Sequence, residues 1–300
     1  MPALTVPPGV EGIVAMHELP DPAWESRWTR IVVPDEIKER LLNFTLFSLK
    51  HRARMDAVRL PIHGLIVLAG PPGTGKTTLA GGLADQAARA LGEGVLFVEV
   101  NAHAFPSQML GESQRSVARL FDRTLPDLAR RGGPTIVLLD EVDSLAVSRA
   151  GASLETNPVD VHRATDAVLA GVDQIARACP NVTFVATTNH SVGVDVAFLS
   201  RADLVEDIAL PNAAAVEQIL IDTLEPIVGA GGLIRAALAP LARACVDARL
   251  DARRVRKLVI RALASRRELA LKPELLRIED VAAALRAETK SPTSAHADTK

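Results

Sequence analysis

Residues 65–77 read LIVLAGPPGTGKT, and this stretch decides the fold. The apolar run Leu65–Ala69 has the length and composition of a buried β-strand. The next residues, GPPGTGKT at 70–77, fit the phosphate-loop pattern G-x-x-x-x-G-K-[ST], and a helical pattern begins near Thr77. A chance glycine-rich turn is the alternative, but such a turn needs neither the strand before it nor the helix after it. The sequence therefore predicts a loop whose backbone N–H groups wrap phosphate oxygens.

The loop pattern also predicts which residues bind ATP. Its glycines let the backbone curl tightly around phosphate oxygens. Lys76 is expected to bridge the β- and γ-phosphates, and Thr77 to bind Mg²⁺. ATP and Mg²⁺ are therefore the expected cofactors. The predicted ATP-binding residues of this stretch are Pro71, Pro72, Gly73, Thr74, Gly75, Lys76, Thr77 and Thr78.

Further apolar runs of strand length alternate with amphipathic, helical stretches such as Ser113–Leu128 and Val161–Ala178. Continuous apolar runs are typical of strands buried on both faces, so the alternation predicts a five-stranded parallel sheet flanked by helices. The five runs are Leu65–Ala69, Val95–Val100, Thr135–Leu139, Val182–Ala186 and Leu204–Leu210.

The pattern changes along the chain and predicts four segments. After Pro211 the strand-like runs stop and only helical patterns follow, including Val255, Leu258, Val259, Ala262 and Leu263 on one face. We expect a proline-rich, irregular segment at 1–20, an α/β domain at 21–211, a small all-helical domain at 212–287 and a disordered polar tail at 288–300.

Polar residues follow two of the predicted strands. The run that begins at Thr135 ends in Asp140 and Glu141, and ATTN at 186–189 ends in Asn189. Because the carboxyl ends of parallel strands share one edge of the sheet, these side chains are expected beside the phosphate loop. Asp140 would hold Mg²⁺, Glu141 would polarise the attacking water, and Asn189 would orient that water. The alternative for Asn189 is an ordinary turn residue.

Composition excludes several classes of function. The formal net charge is -2, from 34 basic and 36 acidic residues, so nucleic acid is not an expected partner. Two cysteines are too few for a disulfide framework, and neither they nor the seven histidines have the spacing of a transition-metal site. There is no run of 18 apolar residues and no secretory signal pattern, so a cytoplasmic protein without a membrane partner is expected.

Together, GPPGTGKT, LLDE and ATTN followed by a helical region resemble the AAA+ ATPases. Over residues 24–287 the sequence resembles more closely the pachytene-checkpoint branch, whose members remodel HORMA-domain proteins. The strings that carry this resemblance are VEVNAH at 98–103, EVDSL at 141–145, TNPVDVHRATDAVLAGVDQI at 156–175, VDVAFLSRAD at 194–203 and LDARRVRKL at 250–258.

The resemblance implies two functional arginines. Arg201 matches the arginine finger that reaches a neighbouring subunit's γ-phosphate, and Arg253 matches the lid sensor that contacts phosphate within its own chain. The alternatives are a surface ion pair of Arg201 with Asp203 or Glu206, and simple solvation of Arg253. The neighbouring Arg254 is the other candidate for the sensor.

The resemblance also implies a substrate-gripping pore loop at Met109 and Leu110. The family usually has an aromatic residue where this chain has Met109, whose flexible side chain can still grip an extended polypeptide. A small local core contact is the alternative for this apolar pair.

As a member of this branch, the chain is expected to form a homo-oligomer, a hexamer, that unfolds part of a HORMA-domain protein. Eukaryotic members carry a folded N-terminal domain, whereas about 20 irregular residues precede the resemblance here. That arrangement resembles the short bacterial forms found beside HORMA proteins and second-messenger synthases in anti-phage (CBASS) systems. The alternatives are a general protein-unfolding motor, a DNA-directed clamp-loader or initiator type, and an ATP-binding scaffold, which the retained Glu141 disfavours.

Overall fold

The structure is a computed structural model. It describes residues 4, 6, 10–101, 112–131, 133–144, 158–189, 193–229 and 235–290. These residues form two compact units. One contains the chain up to Gly70 together with Lys76–Ile208, and the other contains Pro71–Gly75 together with the chain from Ala209 onward.

The first unit is built on a six-stranded sheet in the order β1-β3-β4-β5-β2-β6. Strands β2 to β6 are mutually parallel, and each begins where one of the five predicted runs begins. The last strand ends at Asp207, three residues before the end of its predicted run, and β3, β4 and β5 are one or two residues longer than theirs. The strands are β1 (Ile13–Leu19), β2 (Leu65–Ala69), β3 (Val95–Asn101), β4 (Thr135–Asp140), β5 (Val182–Thr188) and β6 (Leu204–Asp207).

Strand β1 corrects the expectation that residues 1–20 are irregular. Ile13–Leu19 pairs antiparallel with β3, and the register shifts between Ile13 and Ala15. Because this bulge adds a residue, Ile13 and Met16 both pack into the same apolar cluster despite their odd spacing. The period-two pattern that identifies a strand is therefore missing from the sequence.

Helices cover both faces of the sheet. Alternate strand residues, such as Ile66 and Leu68 against Leu65 and Val67, enter two different apolar clusters. Helices α1 (Pro22–Arg30), α2 (Asp35–His51) and α3 (Lys76–Leu91) contribute to the cluster on one face, and α4 (Glu112–Arg119), α5 (Leu125–Arg130) and α6 (Pro158–Ala178) to that on the other. The result is the three-layer α/β arrangement that the sequence predicts, with one extra antiparallel strand.

The predicted helix Ser113–Leu128 is interrupted. A π-helical turn at Leu120–Thr124 separates α4 from α5. Pro126 lies in the first turn of α5, and its missing N–H cannot continue a regular hydrogen-bond ladder. The short α7 (Val196–Leu199) leads into β6.

The second unit is helical. After the phosphate-loop residues it contains α8 (Ala213–Val228), α9 (Arg235–Asp247), α10 (Ala252–Ala264), α11 (Arg267–Leu271) and α12 (Ile278–Lys290). The predicted apolar face of α10 is buried at Val255, Leu258, Val259 and Ala262. No described helix is long and apolar enough to cross a bilayer.

Helix α12 corrects the predicted start of the tail at 288. Glu288 lies inside this helix and is only 12% exposed, because its carboxylate contacts Arg254 and Arg261 of α10. These contacts tie the last turn of α12 to its neighbour, whereas residues 291–300 lie outside the described part of the chain.

Candidate active site

Three strands of the first unit bring Lys76, Asp140 and Asn189 to one edge of the sheet. Lys76 begins the helix that follows β2, Asp140 ends β4, and Asn189 follows β5 directly. Since β2, β4 and β5 are parallel neighbours, their carboxyl ends lie side by side. The order of the strands therefore places these three residues next to one another at the carboxyl ends of the strands.

The phosphate loop needs its glycines. Gly70, Gly73 and Gly75 have φ of 146°, 79° and 94°, which side chains rarely tolerate. A Cβ on Gly70 would lie 2.2 Å from the carbonyl oxygen of Ile208. In the second unit, a Cβ on Gly73 would lie 2.3 Å from the carboxylate of Asp251. The loop therefore has the backbone that the pattern predicts.

The predicted ATP-binding set also includes Pro71, Pro72, Thr74 and Thr78. Thr74 closes the loop, because its hydroxyl donates to the carbonyl oxygen of Pro71 over 3.0 Å. Pro71 and Pro72 are exposed, and so is Thr78 in the first turn of α3. Exposure leaves these positions accessible to a ligand.

Lys76 and Asn189 are joined directly. The Lys76 side chain is buried, and its Nζ donates to the carbonyl oxygen of Gly70 over 2.7 Å and to Asn189 Oδ1 over 3.0 Å. The structure thus brings together two residues that are 113 positions apart in the sequence. A phosphate near the Lys76 ammonium would also be within reach of the Asn189 amide.

Asp140 is held by two hydroxyl groups. Its Oδ1 accepts from Thr77 Oγ1 over 2.9 Å and from Thr187 Oγ1 over 2.6 Å. Thr77 is the predicted Mg²⁺ ligand of the loop, so the two residues expected to bind the ion are in contact. Thr187 was not among the predicted site residues, and its only signal in the sequence is its position in ATTN, two residues before Asn189.

Glu141 has an unusual backbone. Its φ is 55°, in the left-handed region that non-glycine residues seldom adopt. Its N–H donates to Thr187 Oγ1 over 3.0 Å, and its carbonyl oxygen accepts from the N–H of Ser144 over 2.9 Å. The following residue, Val142, is fully buried and anchors the turn. Strained backbone of this kind persists where surrounding contacts fix it, often at functional sites.

The oxygen set fits a magnesium ion that is shared with a nucleotide. Hydroxyl and carboxylate oxygens are ligands that Mg²⁺ accepts, and Thr77 and Asp140 supply one of each. Among the described residues no cluster of three or more His, Cys, Asp or Glu could hold a metal ion. Phosphate oxygens and water would have to complete the shell, as is usual for Mg²⁺ in nucleotide sites.

Arg201 lies at the amino ends of the parallel strands, opposite the end where Lys76 lies. It precedes β6, which runs parallel to β2, so it lies near the amino ends of these strands and away from Lys76. Its guanidinium makes a two-pronged ion pair with Asp173 of α6, at 2.8 and 2.9 Å. Hydrogen bonding to Arg201 lowers the pKa of the Asp173 carboxyl below its ordinary value.

The partners suggested for Arg201 by the sequence were wrong. The Asp203 carboxylate instead accepts from the backbone N–H groups of His63 and Leu65, and Glu206 pairs with Arg40 at 2.7 and 2.9 Å. An ion pair across 28 residues is formed in their place. Within the first unit, Arg201 and Lys76 thus lie at opposite ends of the parallel strands.

The lid arginines are distinguished by their contacts within the second unit. Arg254 donates twice to Glu288 Oε1, at 2.9 and 3.1 Å. Arg253 is exposed in the first turn of α10 and has no ion pair with another described residue. Arg253 is therefore the better candidate for a phosphate sensor. The predicted pore residues Met109 and Leu110 lie outside the described residues.

Comparisons with known proteins identify the family. Residues 66–210 match the family described as "ATPase family associated with various cellular activities (AAA)". CD-NTase-associated protein 6 of Pseudomonas aeruginosa is 43% identical over 282 residues, which cover 92% of either chain. The pachytene checkpoint protein 2 homologue of Gallus gallus is 33% identical over 223 residues, which are 72% of this chain and 51% of that protein. The chain belongs to the pachytene-checkpoint branch of the AAA ATPases.

Solved structures related to this AAA ATPase share its fold. The structure of the HORMA:CdnC:Trip13 complex of E. coli MS115-1 contains a chain with a TM-score of 0.78 and 23% identity, and the match covers 96% of this chain and 99% of that one. PCH-2 of C. elegans has a TM-score of 0.74 at 23% identity, covering 92% and 74%. Matches of this extent show that the AAA fold runs through most of the chain.

Proposed function

We propose that this AAA ATPase hydrolyses ATP and uses the energy to unfold part of a HORMA-domain protein, which disassembles the complexes of that protein. The observation that best supports hydrolysis is the contact between Lys76 and Asn189 at the sheet edge where β4 ends in Asp140, followed by Glu141. A site for binding alone would not need a second carboxylate at the end of β4.

The chain's own residues divide the reaction between them. The Lys76 ammonium balances charge on the β- and γ-phosphates, while the Asn189 amide orients the attacking water. The Glu141 carboxylate accepts a proton from that water as its oxygen bonds to the γ-phosphorus and the bond to the leaving ADP oxygen breaks. Thr77 and Asp140 would hold Mg²⁺, which would supply further positive charge to the phosphates.

The site becomes complete only between subunits. Arg201 lies at the far edge of its own sheet, so the positive charge that it offers is available to an adjacent copy. We propose a homo-hexamer, the assembly implied by resemblance to AAA+ ATPases, in which each Arg201 serves a neighbour's nucleotide. In such a ring the Arg201 side chain exchanges its pair with Asp173 for the γ-phosphate.

The names of two related proteins support a HORMA-domain protein as the partner. The most informative curated relative is a CD-NTase-associated protein, and a structural neighbour was solved in a complex with HORMA and CdnC. We propose a HORMA-domain substrate and a role in a bacterial second-messenger anti-phage (CBASS) system in the cytoplasm. The formal net charge of -2 gives no support to a DNA-directed activity.

A substrate trap tests the proposed partner. Glu141→Gln should bind ATP without cleaving it, so a tagged form expressed in the native cell should retain its HORMA-domain substrate when purified in ATP. The matched control carries Lys76→Ala in addition and should recover far less substrate, because it binds nucleotide much more weakly. If the HORMA-domain protein were absent from the trap, or equally abundant in the control, the assigned substrate would be wrong.

A further inference from the structure

One buried hydroxyl links the two carboxylate residues of the active site. Thr187 is 2% exposed on β5; it donates to Asp140 Oδ1 and accepts from the backbone N–H of Glu141. We infer that Thr187 is the positioning residue of this site, which sets the orientation of the Asp140 carboxylate and the backbone turn that carries Glu141. The inference rests on the proposed hydrolysis of ATP and adds a residue to its machinery.

The bonds to Asp140 fix which of its oxygens is available. Thr187 and Thr77 both donate to Oδ1. Among the described residues, no hydrogen bond to Oδ2 is present. A carboxylate held through one oxygen by donors from two different elements cannot rotate freely about its side-chain torsion. If Thr77 turned its hydroxyl toward a bound metal ion, Thr187 would still hold Oδ1, and Oδ2 would stay available as a ligand.

The bond to Glu141 supports a backbone that is unfavourable for this residue type. A glutamate at φ 55° needs contacts that over-determine its conformation. The Thr187 hydroxyl provides one on the N–H side of Glu141, and the N–H of Ser144 provides one on the carbonyl side. Loss of the hydroxyl would remove this hydrogen bond from the Glu141 N–H and would loosen the turn.

The two bonds use the full capacity of a hydroxyl group as one donor and one acceptor. Valine has the same shape and neither function, whereas serine keeps both. If Thr187 acts through these two hydrogen bonds, Thr187→Val should lower ATPase activity and Thr187→Ser should keep most of it. A role in packing alone predicts the reverse, because valine preserves the branched side chain and serine does not.

The same strand provides a matched control. Thr183 is fully buried on β5, four residues earlier and so on the same face, and its hydroxyl is 2.9 Å from that of Ser48. Thr183→Val removes one buried hydrogen bond at the far end of the strand. Its effect on ATPase activity measures what a buried threonine hydroxyl contributes through folding alone.

The experiment compares wild type, Thr187→Val, Thr187→Ser and Thr183→Val in steady-state ATPase assays and in nucleotide binding titrated with Mg²⁺. For Thr187→Val we expect kcat to fall about 10–100-fold and the half-saturating Mg²⁺ concentration to rise about tenfold, as for residues that orient metal ligands. Nucleotide binding without Mg²⁺ should stay near the wild-type value. Thr187→Ser should recover most of the activity, and Thr183→Val should match wild type.

Three results would overturn the inference: kcat and Mg²⁺ dependence of Thr187→Val equal to wild type, a Thr187→Ser variant as impaired as Thr187→Val, or an equal loss in Thr183→Val. Thr187→Ala replaces Thr187→Val if the latter does not fold, with thermal melting as the check. Inactive wild-type protein would count against the proposed hydrolysis instead. The Mg²⁺ titration of binding would still test Thr187 in that case.

Discussion

Glu141→Gln is expected to bind ATP with near wild-type affinity and to hydrolyse it about 10²–10⁴-fold more slowly. The carboxylate acts as a general base, and a positioned base contributes a factor of this size. The glutamine side chain is similar in size and cannot accept the proton, whereas binding depends on the phosphate loop and Lys76. Hydrolysis at the wild-type rate in purified Glu141→Gln would show that the base is another group.

Lys76→Ala provides the opposite phenotype in the same assays. Removing the ammonium eliminates the positive charge that balances the phosphates and also the hydrogen bond to Asn189. Truncating a buried, hydrogen-bonded charge commonly costs about 2–5 kcal/mol, so ATP affinity should fall about 30-fold or more. Titration with a fluorescent ATP analogue separates the two variants, since one loses binding and the other loses turnover.

Arg201→Ala is expected to leave ATP binding intact and to abolish most hydrolysis. An arginine supplied to a phosphoryl-transfer transition state is worth about 10³–10⁵ in rate. The side chain lies at the sheet edge away from Lys76, so its charge should act on the nucleotide of an adjacent subunit. Arg130→Ala, which breaks an exposed ion pair with Asp127, is the control for loss of a surface charge.

Mixing inactive subunits tests whether Arg201 acts between chains. In a mixture of Arg201→Ala and Lys76→Ala proteins, some interfaces combine an intact Lys76 from one chain with an intact Arg201 from the next. Hydrolysis should therefore reappear in proportion to the frequency of these interfaces. If all mixtures stay inactive although subunit exchange is demonstrated, Arg201 serves only its own chain through the pair with Asp173.

Most of the sheet could be predicted because strands buried on both faces appear as uninterrupted apolar runs. Leu65–Ala69 and the other parallel strands are such runs, and each ends near a glycine or a polar residue. Strand β1 could not be recognised in the same way. A bulge shifts its register after Ile13, and His17 and Glu18 interrupt its apolar residues.

The candidate site could be predicted where a motif fixes both residue type and location. The positions of Lys76, Asp140 and Asn189 follow from strand order, because parallel neighbours end at a common edge. Thr187 was missed because a threonine inside a buried strand is ordinary, and its bonds to Asp140 and Glu141 come from a different strand. No local pattern indicates contacts of that kind.

The partner of Arg201 was predicted incorrectly for a related reason. Sequence proximity suggested Asp203 or Glu206, but backbone N–H groups and Arg40 engage those carboxylates. Asp173 lies on α6, 28 positions before Arg201 in the sequence, and the fold brings the two side chains together. Ion pairs between distant segments depend on packing, which the sequence pattern does not specify.

The central claim is that ATP hydrolysis by this chain disassembles a HORMA-domain complex. It is tested most directly by measuring release of a fluorescently labelled partner from a purified HORMA-domain protein after addition of ATP, with Glu141→Gln as the control. We predict ATP-dependent release by wild type and none by Glu141→Gln, which binds ATP without turnover. Active hydrolysis with no release of the partner, or equal release by Glu141→Gln, would contradict this account.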